Sequence, residues 1–178
     1  MPEDKTMTPS QAVADIPEGA RIMFGAFGGV QDWAVTTIAA LRARGIGGLT
    51  AIANSGGYDE WALQGLALDG RLAKFIATFG ISPYGPTPVS EGVATGRIAY
   101  EVVPQGTFVE RIRAAAGGIP AFYTPVGAGT KAAEGKEVRR FGDREYVLEE
   151  ALHADYAFIR GWRADRAGNV QYRGSTRN

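Results

Sequence analysis

The stretch RIMFGAFGGVQDWAVTTIAALRARGIGGLTAIANSGG, residues 21–57, decides the fold. Arg21-Ile22-Met23-Phe24 has the character of a strand and runs into the turn Gly25-Ala26-Phe27-Gly28-Gly29. Beyond that turn Ala34, Ile38 and Leu41 recur at helical spacing, and Gly45 stands where a helix C-cap belongs. The pattern then repeats. Residues 49–53 (LTAIA) form a second apolar strand that ends at Asn54-Ser55-Gly56-Gly57, and Asp59 is placed to cap a helix carrying Trp61, Leu63 and Leu66. Strand, glycine turn and helix, twice in succession, predict an α/β architecture.

Working outward, Thr8, Pro9 and Gln11 spell a capping box that opens a short helix through Ala14. Residues 74–79 (KFIATF) predict a third buried strand. Residues 80–96 hold three prolines and four glycines, too many breakers for one long element, so a loop with a short helix over residues 89–94 is expected. Residues 98–103 read as a strand, and Thr107 as the cap of a helix in which Phe108 and Ile112 share a face. Residues 120–124 read as another strand, entering Gly127-Ala128-Gly129-Thr130. These units predict an open, mostly parallel sheet with helices on both faces. Toward the C-terminus the pattern changes: residues 138–141 and 145–148 flank Gly142-Asp143 as a hairpin, and residues 156–162 are expected to pair with 170–172, a small antiparallel addition. The whole chain, 1–178, is expected to be a single domain.

Composition narrows the chemistry. Nineteen basic residues cancel nineteen acidic ones, so the electrostatic footprint of a nucleic-acid or anionic-membrane binder is missing. No cysteine is present, which removes thiolate nucleophiles and Cys-ligated metals, and the single His153 argues against a histidine metal cluster or a Ser-His-Asp triad. No apolar run reaches 18 residues and the polar N-terminus carries no hydrophobic signal segment, so a cytoplasmic location is expected. Glycine is the outlier, at 25 of 178 residues. That is about twice its usual share.

In open parallel sheets, ligands sit outside the carboxyl ends of the strands, which directs attention to residues 25–29, 54–57, 80–85 and 127–130. Such turns either cradle a ligand with backbone N–H groups or simply permit sharp reversals. Gly127-Ala128-Gly129-Thr130-Lys131-Ala132 fits G-x-G-x-x-A, but the acidic residue of a dinucleotide site would fall at the Gly142-Asp143 hairpin rather than after a second parallel strand. The phosphate loop of NTPases also fails: five residues separate Gly129 from Gly135-Lys136, and Glu137 stands where a magnesium-binding hydroxyl belongs. Glu101 and Glu110 read as residues of solvated faces, and His153 as structural. Trp162 with Arg163 and Arg166 reads either as a cation–π or phosphate-binding cluster or as a buried ring with a salt-bridged rim. Asn54-Ser55 is suited to hydrogen-bonding a carbonyl or carboxylate, with an Asx turn as the alternative.

Residues 25–28 (GAFG), 48–57 (GLTAIANSGG), 104–130 (PQGTFVERIRAAAGGIPAFYTPVGAGT), 134–141 (EGKEVRRF) and 162–173 (WRADRAGNVQYR) strongly resemble the alpha subunit of family I CoA-transferases, the 3-oxoacid group. The resemblance spans nearly the whole chain. It implies a fold of the NagB/RpiA/CoA-transferase kind and, across an interface that holds the active site, pairing with a homologous beta subunit. It further implies CoA exchange between an acyl-CoA and a carboxylic acid by a ping-pong route. The nucleophilic glutamate belongs to the beta subunit, so no catalytic residue is expected here. No cofactor or metal is expected, coenzyme A being a substrate. The residues it assigns to substrate binding are Gly25, Phe27, Gly28, Gly29, Asn54, Ser55 and Gly56, with Asn54 near the reacting carbonyl.

Departures from the family pattern accompany the match. Ala26 replaces a glycine, and Gln31-Asp32-Trp33 stand where a G-x-P continuation is usual. A glutamine of the family has no counterpart within residues 80–96. Relatives continue beyond Ser175-Thr176-Arg177-Asn178, so the sequence reads either as a shortened member or as one part of a longer subunit. Alternatives on the same scaffold are an acyl-CoA hydrolase or decarboxylase subunit, or one that binds CoA thioesters without turnover.

Overall fold

The computed structural model describes residues 4–27, 32–82 and 84–174. In chain order these build α1 (Pro9–Ala12), β1 (Arg21–Phe24), α2 (Val35–Arg44), β2 (Leu49–Ser55), α3 (Leu63–Leu68), β3 (Leu72–Phe79), α4 (Pro88–Ala94) and β4 (Ala99–Val102). There follow α5 (Gln105–Ala116), β5 (Ala121–Thr124), a 3₁₀ turn (Lys131–Ala133), β6 (Val138–Phe141) and β7 (Arg144–Glu150). The chain ends through β8 (Tyr156–Phe158), β9 (Arg163–Ala164) and β10 (Val170–Gln171). Two compact units result, one from residues 1–101 together with 154–178, the other from residues 102–153.

The first unit is built on a five-stranded sheet of order β4-β3-β2-β1-β8. β1 pairs in parallel with β2, Ile22 opposite Ala51, and β2 in parallel with β3, Ile52 opposite Ile76. Residues 51–54 of β2 are buried without alternation, as expected of a central strand covered on both faces. Ile22, Leu41, Leu49, Leu66 and Phe75 are completely enclosed in the core. α1 begins with the predicted capping box: Thr8 accepts from the Gln11 N–H while the Gln11 side chain accepts from Thr8. α2 ends at Gly45, whose φ of 80° places it in the left-handed region and whose N–H donates to the Arg42 carbonyl.

The second unit is a three-stranded antiparallel sheet, β5-β7-β6, with α5. Phe108, Arg111 and Ala114 of α5 are buried, as are Val147 and Glu149 of β7. Glu149, only 3% exposed, ion-pairs with Lys136 at 2.6 Å and lies 3.8 Å from the Arg111 guanidinium, whose Nε also donates to the Glu150 carbonyl at 2.8 Å. A buried carboxylate is tolerated because two cations attend it.

Four local expectations are corrected. β5 does not extend the parallel sheet; it pairs antiparallel with β7, Tyr123 opposite Leu148, so Gly127–Thr130 do not follow a strand of the main sheet. Tyr156–Phe158 do not join the terminal hairpin but lie parallel to β1, Phe158 opposite Phe24, and the hairpin is β9 with β10. α3 starts after Ala62 rather than at Asp59, since residues 59–62 form a turn closed by the Ala62 N–H on the Asp59 carbonyl. Thr107 does not cap α5: the helix starts earlier, after Pro104, and Thr107 is buried within it. Pro104 preorganises that start by fixing its own φ near helical values.

Candidate functional site

The carboxyl ends of β2 and β3 open into a cavity of about 300 Å³. Its polar end is made by Asn54, Ser55 and Gly56, where β2 runs out. Asn54 is 8% exposed, and its Oδ1 is buried without a hydrogen-bond partner. A buried carbonyl oxygen with no internal partner is costly to keep and marks this side chain as one held for something other than the fold.

The turn after Asn54 is locked from behind. Gln64 of α3, 3% exposed, donates through Nε2 to the Gly57 carbonyl at 2.8 Å, and its Oε1 accepts from the Val89 N–H of α4 at 3.0 Å. One side chain thus ties the β2 turn to the first turn of the next helix. Gly57 has φ +69°, and a Cβ there would lie 2.5 Å from that of Ala62 and 3.2 Å from the Trp33 ring. Trp33 itself is fully buried, and its ring lies directly behind this turn.

The β3 end supplies the opposite wall. Gly80 follows β3 and donates its N–H to the Tyr100 hydroxyl at 3.1 Å, and a Cβ on Gly80 would strike the Tyr100 ring at 2.4 Å. Burial pushes the Tyr100 phenol above its ordinary pKa, and the Gly80 N–H opposes that shift. Beyond it Phe79, Ile81 and Tyr84 face the cavity with Phe27 and Tyr58, all substantially exposed. The Tyr58 and Tyr84 rings stand 6.1 Å apart.

Of the residues expected to bind substrate, Phe27, Asn54, Ser55 and Gly56 line one cavity. Gly25 is not among its lining residues; its N–H is taken by the Phe158 carbonyl at 2.9 Å, and a Cβ there would press on Ile159 at 3.2 Å. Gly25 therefore serves close packing beside β8 rather than an N–H cradle. Gly28 and Gly29 lie outside the described residues. Sequence reasoning missed Gln64. Its signal is a single polar letter in the run WALQGLAL, on a helix whose neighbours Leu63 and Leu66 are core.

The glutamates weighed as nucleophiles have other partners: Glu101 pairs with Lys74 at 2.7 Å, and Glu110 with Arg113 on the next turn of α5. Trp162 is 57% exposed with the Arg173 guanidinium 4.9 Å from its ring centre, so the buried-ring alternative is set aside and the cation over the ring is Arg173 rather than Arg163 or Arg166. No helix among the described residues is long and apolar enough to cross a membrane.

The family model described as Coenzyme A transferase matches residues 6–178. The chain belongs to the coenzyme A transferase family. It is 42% identical over 169 residues to the A subunit of the 3-oxoadipate CoA-transferase of Pseudomonas putida, covering 95% of this chain and 72% of that one. It is 37% identical over 191 residues to the mitochondrial succinyl-CoA:3-ketoacid coenzyme A transferase 2A of Rattus norvegicus, covering 96% of this chain but 35% of the relative. The chain therefore spans about a third of the length of that longer relative. Among solved structures, the acyl-CoA transferase YdiF of Escherichia coli O157:H7, in a thioester complex with CoA, superposes with a TM-score of 0.73 at 25% identity, covering 87% of this chain and 34% of YdiF. The mostly parallel sheet with its small antiparallel companion is thus the architecture of the CoA-transferase family.

Proposed function

We propose that this chain is the alpha subunit of a heteromeric CoA-transferase that moves CoA between an acyl-CoA and a carboxylic acid, acting with a homologous beta subunit. The observation that carries the reading is the Asn54 side chain, its Oδ1 buried without a partner, at the polar end of a cavity at the carboxyl ends of parallel strands, in a chain of this family. Phe27, Asn54, Ser55 and Gly56 form this chain's share of the substrate site. The exposed ring of Phe27, Phe79 and Tyr84 is the surface that the beta subunit covers.

The chemistry requires a carboxylate nucleophile, which the beta subunit supplies as a glutamate. That carboxylate attacks the thioester carbonyl carbon, the C–S bond breaks, and CoA leaves as a thiolate, giving a mixed anhydride. The thiolate then attacks the glutamyl carbonyl and the first acid departs, leaving a glutamyl-CoA thioester for the second acid to reverse. Asn54 hydrogen-bonds the reacting carbonyl oxygen as charge develops on it, a contribution that grows in a site from which water is excluded. Closure by the apolar rim provides that exclusion.

The test is reconstitution with the partner, incubation with an acyl-CoA, borohydride trapping and mass spectrometry. Reduction of a glutamate on the beta subunit, with CoA appearing on a second acid, is the expected result. A complex that consumes acyl-CoA but never labels overturns the mechanism.

A further inference from the structure

Gln64 stands where the two walls of the cavity meet. Its Nε2 donates to the Gly57 carbonyl at 2.8 Å and reaches the Gly56 carbonyl at 3.4 Å, on the turn that follows Asn54 and Ser55. Its Oε1 accepts from the Val89 N–H at 3.0 Å, in the first turn of α4. The other positions of that turn are served from within the helix: Pro88 has no N–H, the Ser90 N–H donates to the Thr87 hydroxyl, and the Glu91 N–H to the Thr87 carbonyl. The Val89 N–H is therefore the donor that α4 does not satisfy itself, and an amide from α3 completes the cap. Ile81 and Tyr84, on the wall opposite Asn54, lead into this helix start. The near end of their segment is pinned as well, where the Gly80 N–H donates to the Tyr100 hydroxyl at 3.1 Å.

The contact is close as well as polar. A Cβ on Gly56 would lie 2.8 Å from Gln64 Nε2, so the turn rests directly on the amide. An amide donates at one atom and accepts at the other, and here both are committed to backbone groups of different segments. The Asn54 Oδ1 has no partner to steer it, so its aim depends on the backbone that carries it. We propose that Gln64 is a positioning residue: by holding the Gly56-Gly57 turn and the start of α4 at a fixed separation, it sets where Asn54 stands relative to the Ile81 and Tyr84 wall, and through that the aim of Asn54 at the reacting carbonyl. Only the last step, the reacting carbonyl, rests on the transferase reading.

Gln64→Glu is nearly isosteric and can be switched. As a neutral acid the new side chain donates to Gly57 and accepts from Val89, as the amide does; ionised, it sets a negative charge against the Gly57 carbonyl. Its hydrogen-bond partners, on Gly56, Gly57 and Val89, are not titratable, and burial raises the pKa of a carboxyl, which moves the switch toward neutral pH. Gln64→Met, similar in length and lacking both functions, is the variant that no pH restores. Two readouts are taken below the unfolding midpoint of each variant. Nitrogen–proton NMR of the full chain follows the Asn54 side-chain amide and the Tyr84 N–H. Both are expected to shift in Gln64→Met, and to shift in Gln64→Glu at about pH 8 and return toward the parent positions at about pH 6. In the heteromer reconstituted with its beta subunit, with succinyl-CoA and 3-oxoadipate as the probe pair, kcat is expected to fall about ten-fold in the same states and to recover in Gln64→Glu at the lower pH, with KM for succinyl-CoA changed by less than about two-fold. An Asn54 amide that keeps its parent position in both variants, or shifts confined to Gly57 and Val89, overturns the proposal. Parent-like kcat in both variants beside an active parent overturns it too. A parent heteromer that transfers no CoA counts against the transferase reading instead, and the NMR result then decides the positioning role.

Discussion

Gln64 accepts the backbone N–H of Val89 at 3.0 Å, joining α3 to the first turn of α4 across 25 positions of sequence. Its other side-chain atom donates to Gly57 at 2.8 Å, so the residue is fully used and almost fully buried. Gln64→Leu keeps the volume but leaves a buried carbonyl and a buried N–H unpaired, and is expected to destabilise the chain by about 2–4 kcal/mol. Urea unfolding followed by tryptophan fluorescence measures this, and an unchanged midpoint would remove Gln64 as the tie that holds the turn.

Asn54 has the opposite profile. Its Oδ1 makes no internal bond, so Asn54→Ala is expected to leave the unfolding midpoint within about 1 kcal/mol of the parent, since a polar group with no partner gives up nothing when deleted. CoA transfer in the reconstituted complex should fall about 100-fold or more in kcat, the usual effect of losing one preorganised donor to a developing oxyanion. A variant with lowered stability and unaltered kcat would reassign Asn54 to the fold.

At Gly57 the backbone and the space agree. With φ +69° and only 2.5 Å between a would-be Cβ and Ala62, Gly57→Ala combines left-handed strain with a clash. The expected loss is about 2–3 kcal/mol. Adding Ala62→Gly to that variant relieves the clash and not the strain, so it should recover part of the loss in a thermal melt. Full recovery would mean the φ value contributes nothing.

The pH dependence of stability has an identifiable contributor in Asp69, which caps α3 and accepts two bonds from Arg42, at 2.7 and 3.1 Å. The Arg42 hydrogen bond holds the Asp69 carboxyl below its ordinary 3.8. Because the folded value is the lower one, the stabilisation is present above 3.8 and is lost as pH falls from there through the depressed value. Asp69→Asn is expected to cost about 0.5–1 kcal/mol at pH 7, as a partly exposed pair should, and to flatten the stability curve below pH 4. Equal slopes for parent and variant in acid would rule the pair out.

In the antiparallel unit, Glu149→Ala removes the buried carboxylate that Lys136 pairs with and that Arg111 approaches. Removing one member of a buried ion pair is expected to cost about 3 kcal/mol. Hydrogen exchange on residues 121–124 and 147–150 reads the effect where it should appear, and protection equal to the parent would contradict it.

Much of the first unit was legible because its signals are local. Glycine after an apolar strand, helical spacing in Ile38 and Leu41, and the Thr8 capping box all act within a few residues. Partner choice between strands is a different matter. Nothing near residues 121–124 distinguishes a parallel neighbour from β7, and nothing near Tyr156 names Ile22, 134 positions earlier, as its partner. The site divides in the same way. Asn54, Ser55 and Gly56 announce themselves at the end of a strand, whereas Gln64 is recognisable only once α3 has been laid against Gly57. Asp59 and Thr107 looked like caps because their side chains suit the role; the turn at residues 59–62 and the proline at 104 set the true helix starts instead.

The pairing of β8 with β1 also governs the order of events at the ribosome. β1 is synthesised early, yet the strand that completes one of its two edges emerges only after some 130 further residues. Throughout that interval the outer edge of β1 offers unpaired N–H and C=O groups to any extended segment nearby. The nascent chain is therefore most open to misassociation in the interval when β1, β2 and β3 are already joined but β8 has not yet emerged, and closure of that edge is a long-range, slow step.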